Sequence, residues 1–206
     1  MANTNRAFGL RPKLPLGAAD WNGKARPYYV QSDYATSLFV GDPVIWTGTA
    51  NSAAVEVIGG SFGVGTLPSI NIATAGSGNK VTGVIIGFMP VSRDSAVYGP
   101  ASTERVAYVC DDPHMVYEIQ DDGGGALTYT TVGLDAVLIA GTGSTYTGQS
   151  AWALDGGTST APAANSAYQL KILRVANIPG NDGTSDYAVW EVKLNIPSYA
   201  PGVAGV

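Results

Sequence analysis

Apolar and polar side chains alternate with a period of two through residues 103–122, TERVAYVCDDPHMVYEIQDD, and lose step once, at Asp111-Asp112-Pro113-His114. Val106, Tyr108 and Cys110 take turns with Arg105, Ala107 and Val109, and Met115, Tyr117 and Ile119 take turns with Val116 and Glu118. That is the spacing of side chains on the two faces of a β-strand. Asp side chains bond back to the chain and proline fixes φ near a turn value. The stretch therefore predicts a hairpin, with Cys110 on the same buried face as Val106 and Tyr108. A second hairpin is predicted over 168–175 and 187–195. There Leu170 and Ile172 flank Lys171, Val192 and Leu194 interleave with Glu191 and Lys193, and Pro179-Gly180-Asn181-Asp182-Gly183 supplies the turn.

Residues 81–88, VTGVIIGF, are apolar without alternation, which predicts a strand covered on both faces, bent or closely approached at Gly83 and Gly87. Shorter runs at 27–31, 38–40, 43–47, 55–58 and 150–154 read as further strands. Residues 134–140 place Leu134, Val137 and Leu138 on one helical face, but Gly133 and Gly141 enclose too few residues for a stable helix. A strand is predicted there.

Composition turns these runs into a fold class. The 27 glycines among 206 residues are about twice the usual ~7% share, and with 12 prolines they favour short strands and turns over helices. The expectation is an all-β fold: a barrel or sandwich body of short antiparallel strands over 28–196, an extended basic N-terminal arm over 1–27, and an extended C-terminal tail over 197–206. Charged residues make up only 13% of the chain against a typical ~25%, which suits a surface partly covered by partners.

Charge also separates the arm from the body. Arg6, Arg11, Lys13, Lys24 and Arg26 face only Asp20 in residues 1–27, a local net of +4 in a chain whose total is −5. Such an arm, carrying Phe8, Leu10, Leu14, Leu16 and Trp21 between prolines, is suited to lie across an acidic surface of its own body or of a partner. An acidic chain without a lysine or arginine run gives nucleic-acid binding no electrostatic support. Residues 1–9 lack signal-peptide character, and the longest uncharged apolar stretch, 81–91, falls far short of the ~20 residues that span a bilayer. The expectation is synthesis in a cytoplasm and no membrane insertion. The single Cys110 predicts a small buried group.

Candidate chemistry is sparse. Asp111, Asp112, His114, Asp121 and Asp122 offer metal-binding residue types, yet a turn needs the same residues and no second histidine completes a site. The glycines of 141–150 have no lysine to make a phosphate loop. Neither an enzyme nor a cofactor is expected.

Several segments together resemble the head decoration, or cement, proteins of tailed bacteriophages. They are Ala2-Asn3 with Phe8-Gly9-Leu10-Arg11-Pro12, Gly83-Val84-Ile85-Ile86-Gly87, residues 107–120, Val132-Gly133, Gly141-Thr142-Gly143-Ser144 and Thr147-Gly148-Gln149-Ser150. The resemblance implies a virion structural protein: β-barrel bodies grouped as homotrimers outside an icosahedral shell, clamping neighbouring copies of the major capsid protein against the pressure of packaged DNA. On that reading the arm binds the capsid through Arg6, Phe8, Leu10, Arg11, Lys13, Lys24 and Arg26. The rival reading is a β-sandwich carbohydrate-binding or tail-associated module in which Trp46, Trp152 and Trp190 line a ligand face.

Overall fold

Short apolar runs separated by glycine and proline form strands that are too narrow to bury a core alone, and this chain combines them into two bodies. A computed structural model describes residues 3–17, 21–125 and 127–199. The first body is a closed barrel of β2 (Arg26–Val30), β3 (Pro43–Ala50), β6 (Pro68–Ile72), β7 (Gly83–Phe88) and β8 (Arg105–Cys110), in the order β2-β6-β3-β7-β8. The second is a five-stranded antiparallel sheet of β1 (Arg11–Pro15), β9 (Met115–Gln120), β14 (Val189–Leu194), β13 (Leu170–Val175) and β10 (Asp135–Ala136), in the order β1-β9-β14-β13-β10. Two ribbons complete it: β4 (Val55–Val57) with β5 (Gly60–Phe62), and β11 (Leu138–Ile139) with β12 (Ala153–Leu154). The fold is all-β, and every strand pair is antiparallel except β2 with β6.

Residues 103–122 form the two predicted strands but not the predicted hairpin. β8 bonds to β2 and β7 inside the barrel, whereas β9 lies between β1 and β14 in the other sheet. Asp111–His114 is a corner at which the chain changes sheets, held by Asp112 Oδ1 accepting from the His114 amide at 2.8 Å. Alternation sets which face a side chain takes, not which strand its backbone meets. Both strands are buried on both faces, so each needs cover that the other could not give.

The register shows how the bodies join. Ile85 sits beside Val109 and points into the barrel with Tyr28, Val44, Ile70 and Ala107. One residue along, Val84 sits beside Cys110, and both face outward. They pack there against Met115, Tyr117, Ile119, Trp190 and Val192 of the five-stranded sheet. The largest core thus lies between the barrel's outer wall and the sheet. β7 is the predicted strand with two buried faces, at least through Ile85. The β13–β14 hairpin is as predicted, with Leu170, Ile172, Val192 and Leu194 all buried. Residues 134–140 are extended but split at Val137 between β10 and β11, which belong to different sheets.

The boundary expected at residue 28 shifts. Arg11–Pro15 is an edge strand of the sheet and Arg26 opens a barrel strand, so these described parts of 1–27 are built into the body. Pro12 and Pro15 are tolerated because an edge strand has one side whose N–H groups need no partner in the sheet. At the other end Pro197 bridges to Val81 and the Ser198 amide donates to the Val81 carbonyl at 3.0 Å. The rest of the expected tail, 200–206, lies outside the described residues.

Two buried groups yield predictions. Cys110 is 1% exposed and its thiol is pushed up to about 11 by burial, so a thiol reagent at pH 8 is expected to label it only as fast as the protein opens. Rapid labelling of the folded protein would contradict this packing. Asp42 is 1% exposed; Oδ2 accepts from the Phe39 amide at 2.7 Å and Oδ1 has no hydrogen-bond partner among the described residues. Burial raises its carboxyl from 3.8 to about 6. The folded state therefore favours the protonated form, and stability falls as pH rises from about 4 through 6. Asp42→Asn is expected to add about 1–3 kcal/mol at pH 8 and almost nothing at pH 4, read from urea unfolding at both.

Candidate functional site

Residues 3–15 are lashed along the body by contacts that use small and amide side chains. Asn3 Oδ1 accepts from the Asp182 amide at 2.9 Å, and its Nδ2 donates to the carbonyls of Asp182, Ser185 and Asp186 at 2.8, 3.3 and 3.0 Å. Gln120, buried at the end of β9, accepts from the Arg6 amide at 2.8 Å and donates to the carbonyls of Thr4 and Tyr187, both at 2.9 Å. Gly9 and Gly41 then cross at backbone contact. The Leu10 amide donates to the Gly41 carbonyl at 2.9 Å, and a Cβ on Gly9 would stand 2.3 Å from that oxygen. Both glycines have positive φ, 73° and 98°, which other residues adopt at a cost. Leu10 drops into the core beyond this crossing, 1% exposed.

β1 carries the segment into a rank of charges. Arg11, Glu118, Glu191 and Arg174 stand opposite one another across β1, β9, β14 and β13. Two carboxylates directly opposed repel, and the Lys13 ammonium answers them, 2.9 Å from Glu118 and 2.7 Å from Glu191. Arg174 Nε donates to the other oxygen of Glu191 at 2.6 Å. Burial alone would raise the Glu191 carboxyl, but the Lys13 and Arg174 bonds outweigh it and hold it below its ordinary value. Hydrogen bonds to Glu191 and Glu118 raise Lys13 in turn.

The seven arm residues separate accordingly. Leu10 is 1% exposed in the core, so the capsid contact expected of it is corrected, whereas Lys13 is engaged by two carboxylates of its own chain while its side chain stays 30% exposed. Arg6, Phe8 and Arg11 lie together along an open groove of about 960 Å³ that Asn3, Gln120 and Tyr187 also line. The Arg11 guanidinium sits 4.2 Å above the Phe8 ring and only 3.9 Å from Glu118. Lys24 and Arg26 stand apart, on a cleft of about 620 Å³ beside Asp111. The contacts of Asn3, Gly41 and Gln120 were not legible in the sequence, because an amide or a glycine announces no partner. Glu118 and Glu191 were visible as the polar positions of alternating strands.

Elsewhere, β9 holds Asp111–His114 apart from Asp121 and Asp122. Among the described residues no three His, Cys, Asp or Glu side chains are placed to hold a metal ion. Asp121 serves the backbone, accepting from the Gly123 and Tyr187 amides and from the Trp190 indole. Trp152 and Trp190 are 2% and 0% exposed inside the core, so the ligand face expected from three tryptophans does not form. No family model matches the chain, and comparison with curated proteins and with solved structures found no match.

Lys13→Met is expected to cost about 1–3 kcal/mol in urea unfolding at pH 7, less than for a fully buried pair, because Lys13 is partly exposed and Glu191 keeps Arg174. Adding Glu191→Gln to Lys13→Met is expected to restore part of that, since one of the opposed carboxylates is gone. No recovery would mean that the aliphatic stem of Lys13, not its charge, holds β1.

Proposed function

We propose that the chain is a structural protein of a tailed-bacteriophage virion, decorating the outside of the capsid and cementing neighbouring capsomers. The observation that supports this best is the lashed N-terminal segment, which presents Arg6, Phe8 and Arg11 along one open groove. A pre-ordered strip of cations and an aromatic ring binds a partner without first paying to order itself. The carboxylate rank on β9 and β14 is already neutralised, so the cations at the groove remain for a neighbour's acidic surface. Two interlocked β bodies with exposed Tyr146 and Val97, 94% and 61% accessible, suit association into a homotrimer, each copy adding its groove to a shared hold on the shell. The reading assigns no catalysis, no cofactor, and no nucleic-acid or membrane partner.

Deleting residues 1–27 would remove β1 and Leu10 and test folding instead of attachment. The discriminating variant is Arg6→Glu with Arg11→Glu, two largely exposed side chains. Added to undecorated heads at moderate salt, it is expected to bind more weakly than the wild type by up to about thirtyfold, as two rim ion pairs of up to ~1 kcal/mol each would give. Undiminished occupancy, with thermal unfolding unchanged, would overturn the groove as the capsid contact.

A further inference from the structure

The cleft beside Asp111 lies away from the groove and is built from four separate parts of the chain. Pro15 ends β1, Trp21 and Lys24 belong to the connection that follows, Asp111 and Asp112 form the corner between the two sheets, and Tyr199 follows β14. Its volume of about 620 Å³ is within the roughly 300–1,000 Å³ of small-ligand sites.

We propose that this cleft binds a neutral sugar ring within an oligosaccharide. Trp21 is half-buried, with its indole N–H fixed on the Lys24 carbonyl at 3.2 Å, so the ring is held as a platform. Around it, acceptors and donors interleave. Asp111 Oδ2 is anchored by the Tyr28 hydroxyl at 2.8 Å, the Tyr199 hydroxyl at 3.3 Å and Arg26 at 3.4 Å. Its Oδ1 has no partner among the described residues. Asp112 uses Oδ1 for the His114 amide and leaves Oδ2. The Lys24 ammonium and the Asn22 amide N–H groups also lack partners among the described residues, and Arg26 spends only one nitrogen on Asp111.

This pattern selects among ligands by charge. Two carboxylates stand against two cations in the cleft, so an acidic peptide meets Asp111 and Asp112, a basic one meets Lys24 and Arg26, and neither gains net attraction. A sugar hydroxyl donates once and accepts twice, which answers both kinds of group, while the C–H face of the ring stacks on the indole. Room exists for more than one ring. A second cleft of about 460 Å³, walled by His114, Lys193 and Asn195, begins at the same Pro113 and Tyr199. Tyr199 is held from behind by the Trp46 ring, 4.5 Å away and edge-on.

The test is a glycan array carrying neutral and acidic oligosaccharides, followed by titration of the full chain with lactose, cellobiose and N,N′-diacetylchitobiose. Binding is read by isothermal titration calorimetry, which needs no tryptophan at the site and therefore serves the wild type and Trp21→Ala alike. Saturable binding of a neutral glycan is expected, weakened at least tenfold in Trp21→Ala and in Asp112→Asn. Asn at 112 keeps the acceptor for the His114 amide, so this variant stays informative if Trp21→Ala folds poorly. Three results would each overturn the assignment: no saturable neutral glycan, equal binding by Asp112→Asn, or preference for a hexaglutamate peptide or an acidic glycan. Trp21 shares a small pocket with Phe8 and Arg11, so Asp112→Asn, which lies away from them, is the variant by which this site and capsid attachment fail or hold separately.

Discussion

Everything in this structure depends on the contact between the outer wall of a barrel and the inner face of a sheet. Val84 and Cys110 leave the barrel at one point, and Tyr117 and Trp190 leave the sheet to meet them. A five-stranded barrel has a small interior, filled by one or two side chains from each strand, and a five-stranded sheet has no interior at all. Each becomes stable by lending the other a face. Full burial of large apolar side chains is worth roughly 1.5–3 kcal/mol each, and this interface holds the largest set of them. The corner at Asp111–His114 is the covalent hinge of that arrangement, so its four residues are conformational before they are chemical.

The second constraint is electrostatic. Closing the sheet places Glu118 directly opposite Glu191, two carboxylates that water would otherwise keep apart. The fold tolerates them because β1 delivers Lys13 between them and Arg174 flanks the far side. The N-terminal segment is thus part of the body's charge balance, and its attachment is not decoration. Having met its own acidic surface, it still presents Arg6, half-buried Phe8 and Arg11 along the groove. Folding therefore divides the scattered basic residues of this segment into a structural set and an exposed set.

The same division occurs among the aromatic residues. Trp152 and Trp190 are spent on the core, while Trp21, in a connection of no periodicity, ends beside the corner carboxylates. The groove and the cleft lie at opposite ends of β1, and so a single edge strand positions both. Their chemistry differs because their neighbours differ: backbone amides and Gln120 at one end, Asp111 and Tyr199 at the other.

The sequence by itself determined the long alternating strands and their faces, but not β1, β5 or β6, which carry proline or glycine and too short an apolar pattern to show as strands. A period of two fixes which side chains share a surface, so Cys110, Ile172 and Val192 could be placed inside, and glycine-bracketed runs could be kept out of helices. It also marked an N-terminal segment rich in cations beside an acidic remainder, which is the signal that Glu118 and Glu191 would need a partner. Apart from the β13–β14 hairpin, only the tertiary structure decided which strand meets which. Backbone hydrogen bonds are identical for every sequence, so nothing in residues 103–122 says that β8 and β9 part company at the corner. It likewise decided that Leu10 and Lys13 turn inward while Arg6 and Arg11 do not, because that choice rests on a glycine crossing at Gly9 and Gly41 between residues thirty-two apart, a proximity that no local pattern encodes.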